Sequence, residues 1–398
     1  MKVYIVIPTY WTSRQPCFKE TIYDHPTEIE GEFETLSRCL KSLTIVKGEF
    51  QTIVISVPTR NSLANMVEKK VDSIVKPFQE KLNIKVFHPS TLLKLKRKLK
   101  ILGFKNFSNY LSLKGYGNAR NLCILIPYLD GADAVILVDD DEIVVDENFL
   151  KKPLELLGKT WENKQIFGLA GYYMYKETGY KLKEPENPWF LVWNKASLMN
   201  QTFKIIDLPG RFKPTNFVFG GCMAIHRRLI ENVCFDPWIT RGEDIDYLLC
   251  SKIYGFKFLL DNQWNILHGP PPKKRGFWGE FEQDVYRFIY QREKLKFLEK
   301  KLGKKILDES LDPFPGYFLK EDLEGKILLT GILYHLNQHL NELLKTKNLR
   351  QTYKIFRIVD LLLAKAKKYA LKNRQKYYGF RKLWFKTVKK LRGKVKPF

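Results

Sequence analysis

The chain has 398 residues, 44% of them hydrophobic and 28% charged, with a net charge of +25. That composition belongs to a globular protein of one large or two ordinary domains and excludes a disordered chain. It also excludes a membrane-spanning protein of the helical kind, because no apolar run approaches the ~18 residues such a span needs.

The first element is a buried strand, Val3 to Ile7, ending at Pro8-Thr9-Tyr10-Trp11. It follows Met1-Lys2 directly, which leaves no room for a signal peptide. A polar stretch from Thr12 to about Gly31 comes next, then a helical spacing of Leu36, Leu40 and Leu43. Strands are expected at Thr52–Val57 and Leu82–Phe87, with an amphipathic helix between them and a basic insert from Lys94 to Lys105. Gly115-Tyr116-Gly117-Asn118-Ala119-Arg120-Asn121 opens a helix. Glycines at such a place let backbone N–H groups approach an anion, although the dinucleotide fingerprint is absent.

Val135-Ile136-Leu137-Val138-Asp139-Asp140-Asp141-Glu142 is the stretch of greatest chemical interest. Its first half reads as a strand buried on both faces. Its second half places four carboxylates side by side. On a strand, Asp139 and Asp141 would share one face and Asp140 would take the other. Paired carboxylates at a strand's C-terminal end suit a hard divalent cation, Mg²⁺ or Mn²⁺, and ligands bind at that end of open α/β sheets. Farther on come a strand from Ile166 to Tyr175, a loop-rich stretch from Lys176 to Pro214, and Gly220-Gly221 within Phe217 to Ile225. Arg241-Gly242-Glu243-Asp244 then opens a helix that stops at Gly255. Acids in a first turn stabilise a helix macrodipole, but Asp244 could equally act as a general base, with Glu243 beside it. Two short strands lead to His268, which is either a structural histidine or a further metal ligand, and then to Pro270-Pro271-Pro272.

Strand–helix alternation up to this point implies a doubly wound, mostly parallel α/β sheet, and the triple proline marks a domain edge. Residues 1–272 would form the catalytic domain and 273–398 a helical, basic C-terminal region. From Lys347 to Phe398 there are 18 Lys or Arg and one acid, Asp360, so this segment carries +17 and the rest of the chain only +8. Such a segment suits an anionic surface, of which a membrane is favoured over nucleic acid. The alternative is a helical subdomain packed on the catalytic domain with a solvated basic face. The six cysteines lack CxxC spacing and read as reduced cytosolic thiols.

In order, Ile5-Val6-Ile7-Pro8-Thr9-Tyr10, Gly117-Asn118-Ala119-Arg120-Asn121, Leu137-Val138-Asp139-Asp140-Asp141, Gly220-Gly221, and Gly242-Glu243-Asp244-Ile245-Asp246 resemble the GT-A-fold nucleotide-sugar glycosyltransferases of the family 2-like group. The likeness spans residues 1 to about 270. It implies a metal-dependent hexosyltransferase that moves a sugar from a nucleotide-diphospho-sugar donor to a hydroxyl acceptor. By that likeness Asp139-Asp140-Asp141 is the DxD motif, with Asp139, Asp141 and His268 at the metal. Pro8, Thr9, Tyr10, Asn118, Arg120, Asp139 and Asp140 would line the donor site. Gly220, Gly221 and Arg241 would meet the acceptor, and Asp244 would be the catalytic base beside Glu243. Pro58-Thr59-Arg60 stands where the family usually carries an acid that reads the base. The helical C-terminal region resembles enzymes of the mannosylglycerate synthase type, which are retaining, while Asp244 favours inversion. The acceptor would be an envelope or lipid-linked glycan or a small glycoside. The enzyme would be cytoplasmic, with a peripheral position at the inner face of a membrane. The rival readings are a nucleotidyltransferase, whose glycine- and arginine-rich loop is missing after the first strand, and a non-catalytic binder of anionic surfaces or nucleic acid on a degenerate GT-A domain.

Overall fold

The computed structural model describes residues 1–14, 23–31, 35–186, 188–271, 276–346 and 349–398, with backbone alone at 188, 338–346 and 349–356. The first half is strand and helix in alternation: β1 (Val3–Thr12), β2 (Thr27–Glu28), α1 (Thr35–Leu43), β3 (Gln51–Pro58), α2 (Ala64–Val75), β4 (Ile84–Phe87), α3 (Pro89–Ile101), α4 (Lys105–Tyr110), α5 (Tyr116–Leu129) and β5 (Ala134–Leu137). The middle holds β6 (Glu142–Ile143), α6 (Lys151–Leu154), β7 (Thr160–Trp161), β8 (Lys164–Met174), α7 (Lys195–Phe203), β9 (Phe212–Pro214), β10 (Met223–His226), α8 (Arg227–Asn232), α9 (Glu243–Ile253) and β11 (Lys257–His268). Four helices close the chain: α10 (Phe277–Leu302), α11 (Leu323–Thr346), α12 (Leu349–Asn373) and α13 (Lys376–Leu391).

The sheet order is β4-β3-β1-β5-β10-β8-β11-β6. β4, β3, β1 and β5 are parallel, as are β8 and β11, whereas β10 runs antiparallel to both β5 and β8. The sheet is therefore mostly parallel, and the reversed strand matters for function. The chain segment that leads into β10 lies at the same edge of the sheet as the C-terminal ends of β1, β5, β8 and β11. Gly220 and Gly221 are thereby brought to the acids that follow β5.

Two elements differ from their sequence expectation for local reasons. β1 does not stop at Ile7 but runs through Pro8 to Thr12. Val6 accepts from the Val138 amide at 3.1 Å, so Pro8, two residues on, faces the same side, where β5 has already ended at Leu137. A missing N–H costs nothing there. The basic insert at 94–105 is largely the helix α3, whose Leu92, Leu95 and Leu99 are buried while its lysines point outward.

The expected boundary at 272/273 falls outside the described residues, but the helices beyond it share the core of the sheet domain. One continuous cluster of buried side chains runs from Val3 to Val395. Its least forgiving part is a charge group under α9. Lys294 of α10 is fully buried, 2.5 Å from Asp246 and 2.8 Å from Asp236. Gln291 adds a hydrogen bond to Asp246 at 3.0 Å, and the Tyr290 hydroxyl one to Asp236 at 2.7 Å. Two buried carboxylates depend on one ammonium, so removing it leaves both uncompensated. Lys294→Met is expected to destabilise the chain by about 3–5 kcal/mol, read as a lower urea midpoint at unchanged slope.

Candidate active site

The acids after β5 are not on a strand. β5 ends at Leu137, and Asp139 to Glu142 form a turn closed by the Glu142 amide on the Asp139 carbonyl at 3.2 Å. Strand alternation therefore does not apply, and the four carboxylates go to three destinations. Asp139, expected among the metal ligands, instead takes Arg120, whose Nη2 lies 2.8 Å from its Oδ1 and 3.0 Å from its Oδ2. Asp140 turns inward and accepts from Thr9 Oγ1 at 2.5 Å. Asp141 and Glu142 meet His268 at the end of β11, and the ligating atoms of these three side chains lie within 4.8 Å of one another. Glu142, the fourth acid of the run, thus converges with Asp141 and His268, while Asp139 faces Arg120.

Burial pushes Asp141 up to about 7, with the Asp139 carboxylate adding to it. It raises Glu142 and Asp140 as well, and their acidic neighbours push the same way. Acids crowded in this way are what a divalent cation relieves, and two carboxylates with one imidazole form a donor set that a hard ion such as Mn²⁺ accepts. The residues present therefore fit such an ion. His268 is fixed by stacking on Tyr173, with centroids 4.6 Å apart, and by the edge of Tyr175 at 5.5 Å.

The Gly117–Asn121 stretch does several jobs. Gly117 lets α5 touch the backbone at Asp236, where a Cβ would come within 2.0 Å of the carbonyl oxygen. Asn121 bonds the Phe235 backbone in both directions at 2.9 Å. Arg120 bridges two acid groups, since its Nε donates to Glu243 at 3.2 Å. Asn118, assigned to the donor, donates to the Lys114 carbonyl of its own helix start at 2.7 Å. Tyr10 packs on Tyr23 and Tyr116, with centroids 4.4 and 5.6 Å away. Tyr23 also lines an 800 Å³ cleft past the ends of β3 and β4, together with Pro58, Arg60, Leu92, Lys96 and Lys114.

At the start of α9, burial pushes Glu243 up to about 7, Asp244 adds to this and Arg120 opposes it. Burial also raises Asp244, against the field of the Arg287 guanidinium. Asp244 accepts from the Gly220 amide at 3.1 Å and from the Ile245 amide at 2.7 Å, and it remains partly exposed. Arg241, assigned to the acceptor, is instead paired with Asp24 at 3.1 Å, with Asp284 at 3.9 Å. The structure thus gathers Thr9, Arg120, Asp139, Asp140, Asp141, Gly220, Gly221, Glu243, Asp244 and His268 into one region, while Asn118 bonds Lys114 and Arg241 pairs with Asp24.

Sequence reasoning passed over three residues here. Glu142 stood in the acid run but was given no role. The Tyr173 hydroxyl donates to Asp139 at 3.3 Å and accepts from the Gly221 amide at 2.9 Å. Arg287 lies on α10, 43 residues beyond Asp244, and no local pattern announces it.

No protein-family model and no curated protein matches the chain. Among solved structures, the mannosyltransferase PcManGT from Pyrobaculum calidifontis, in complex with GDP-Man and Mn²⁺, is 12% identical at a TM-score of 0.44, covering 98% of this chain and 86% of that one. TarS of S. aureus is 13% identical at a TM-score of 0.40; the match covers 98% of this chain but 55% of TarS, so this chain spans about half its length. Glucosyl-3-phosphoglycerate synthase from Mycobacterium tuberculosis, in complex with Mn²⁺ and UDP-glucose, is 12% identical at 0.35, covering 77% of this chain and 80% of that one. At such identities and TM-scores, what the residues themselves can do must decide the function.

The glycines offer a direct check on the metal reading. A Cβ at Gly221 would lie 2.3 Å from both Glu142 carboxylate oxygens. Gly221→Ala is expected to weaken Mn²⁺ binding at least about tenfold by turning Glu142 away from Asp141 and His268. Calorimetric Mn²⁺ titration checks this, with circular dichroism to confirm the fold.

Proposed function

We propose that this chain is a metal-dependent glycosyltransferase of the GT-A type. The observation that carries the reading is the Asp141–Glu142–His268 donor set at the C-terminal edge of the sheet, in the same region as a second, partly exposed carboxylate, Asp244. A divalent cation held by those three side chains would neutralise the diphosphate leaving from a nucleotide-sugar donor. The donor's nucleoside takes the cleft beside Tyr23, and Arg60 stands in place of the usual base-reading acid. Thr9 holds Asp140 and Arg120 holds Asp139, so the turn that presents Asp141 and Glu142 is fixed from beneath. Gly220 and Gly221 leave room for the Arg120 guanidinium and the Glu142 carboxylate to lie against the backbone.

The proposed reaction is direct displacement with inversion. The acceptor hydroxyl attacks the anomeric carbon as the nucleoside diphosphate departs, and Asp244 takes the hydroxyl proton. The Gly220 and Ile245 amides orient this carboxylate. The test is a thermal-shift screen of UDP, GDP, CDP and ADP sugars with and without Mn²⁺. One nucleotide class should stabilise the wild type only with metal, and Asp141→Ala should abolish the shift. Asp244→Asn should keep the shift and lower kcat by about 10²–10⁴-fold. Absence of any metal-dependent shift in folded wild type would refute the reading.

We further propose that the C-terminal region meets an anionic membrane surface. Among the described residues no helix is long and apolar enough to cross a membrane, so the contact would be peripheral. Ile358, Leu361, Lys365, Lys368 and Lys372 recur every three or four residues of α12 and share one face, with Leu371 beside them. Ile358 is 50% exposed, Leu361 53% and Leu371 55%. Aliphatic side chains among lysines suit lipid, whereas a nucleic acid would use the charges alone. The chain should sediment with phosphatidylglycerol vesicles and not with phosphatidylcholine vesicles. Replacing Lys365, Lys368 and Lys372 by Gln should remove about 1 kcal/mol of attraction for each lysine, and Leu361→Glu with Leu371→Glu should release the chain even at low salt.

A further inference from the structure

Arg287 is 5% exposed, yet its Nε and Nη2 are buried without a hydrogen-bond partner, and it forms no ion pair among the described residues. Its guanidinium packs on Phe288, 4.8 Å from the ring centroid, with Phe314 at 6.0 Å. On its other side it lies against Gly242, where a Cβ would come within 2.0 Å of Cζ. Gly242 has φ +65, so both its backbone and its missing side chain make room for the guanidinium. Asp244 follows two residues later.

The acids around Arg287 have partners other than Arg287, save Asp284 Oδ1, which is buried without a hydrogen bond. Asp284 is paired with Lys195 and lies 3.9 Å from Arg241. Glu243 takes Arg120, and both Asp244 oxygens take backbone amides. A buried guanidinium with unmet donors is costly unless an acceptor arrives, and a planar fork of donors suits the paired oxygens of a phosphate or carboxylate.

We propose that Arg287 receives an anionic oxygen group, a phosphate or a carboxylate, carried by the acceptor, and so places the acceptor's hydroxyl beside Asp244. This rests on the glycosyltransferase reading and specifies the substrate class that reading leaves open. The C-terminal helices would then complete the acceptor site as well as support it. Lys195, on α7 and within reach of the same group of charges, is occupied by Asp284 and is not the primary anion ligand.

The test is calorimetric titration of glycerol 3-phosphate, glycerate and glycerol into the full chain in EDTA, so that no metal can hold the anion. Wild type should bind one or both anions saturably and glycerol not detectably, and the two anions distinguish phosphate from carboxylate recognition. Arg287→Gln should weaken anion binding at least tenfold and Arg287→Lys should restore part of it. Both variants should retain the metal-dependent donor shift, which reports on the glycosyltransferase reading separately. Wild type that does not prefer an anion to glycerol would overturn the proposal, whatever the variants do. Folded Arg287→Gln binding the anion as tightly as wild type would also overturn it. Loss of the donor shift in wild type, with Arg287-dependent anion binding intact, would refute glycosyl transfer and leave the anion site standing.

Discussion

Arg120 is the residue on which the arrangement of the site depends. The region holds six carboxylates, Asp139 to Glu142 and the Glu243–Asp244 pair, on segments more than a hundred residues apart in the chain. Burial raises the free energy of each charge, and their mutual repulsion adds to it. Arg120, itself buried, reaches one carboxylate from each group, Asp139 and Glu243. Gly220 is pressed against this guanidinium, with room for a Cβ only 2.3 Å from Nη2. A bulkier residue at 220 would displace the cation and disturb both acid groups together. Gly117 and Asn121 hold Arg120 in position by clamping α5 to the backbone around Phe235 and Asp236.

That division of labour separates the acids into a compensated set and an uncompensated set. Asp139 and Asp246 each have a buried cation, and Asp284 has the half-buried Lys195. Asp141 and Glu142 have a histidine and other acids around them. Structural acids are matched within the chain, and acids left unmatched in a buried place call for something from solution. The same reasoning with the sign reversed applies to Arg287, which is a buried cation without a matching acid.

Much of this was legible in the sequence because it is local. The acid run, the paired glycines, the Glu243-Asp244 helix start and His268 are all adjacent-residue patterns at the ends of elements. What could not be read is what depends on pairing at a distance. Strand alternation puts Asp139 and Asp141 on one face, whereas a turn beginning at Asp139 re-aims each carboxylate separately. The pairing of Arg241 with Asp24, more than two hundred residues away in the chain, has no local signature either. The reversal of β10 has no signature in its four residues, yet it brings Gly220 and Gly221 to the acids.

The basic C-terminal segment shows how a count of charges can mislead. Among the described side chains, Arg374, Arg381 and Arg392 turn toward the rest of the chain, whereas Arg357 is exposed. Arg381 donates to the Asn232 carbonyl at 2.7 Å, and beside it the Trp384 indole donates to the Ile230 carbonyl at 2.7 Å. These are among the last carbonyls of α8, which has no further turn of its own to satisfy them, and a cation there also meets the negative end of the helix dipole. Arg392 reaches the Gly131 carbonyl and Asp133, and Arg374 lies 3.6 Å from Glu293. Arg381 and Arg392 anchor the α13 segment to the sheet domain, and Arg374, just past α12, faces α10. The lysines on the outer face of α12 have no such role, so the attraction of this region for anions rests on fewer charges than the +17 of the segment suggests. The packed-subdomain and membrane-surface readings are therefore compatible: the arginine side of the segment serves the first and the lysine side is free to serve the second.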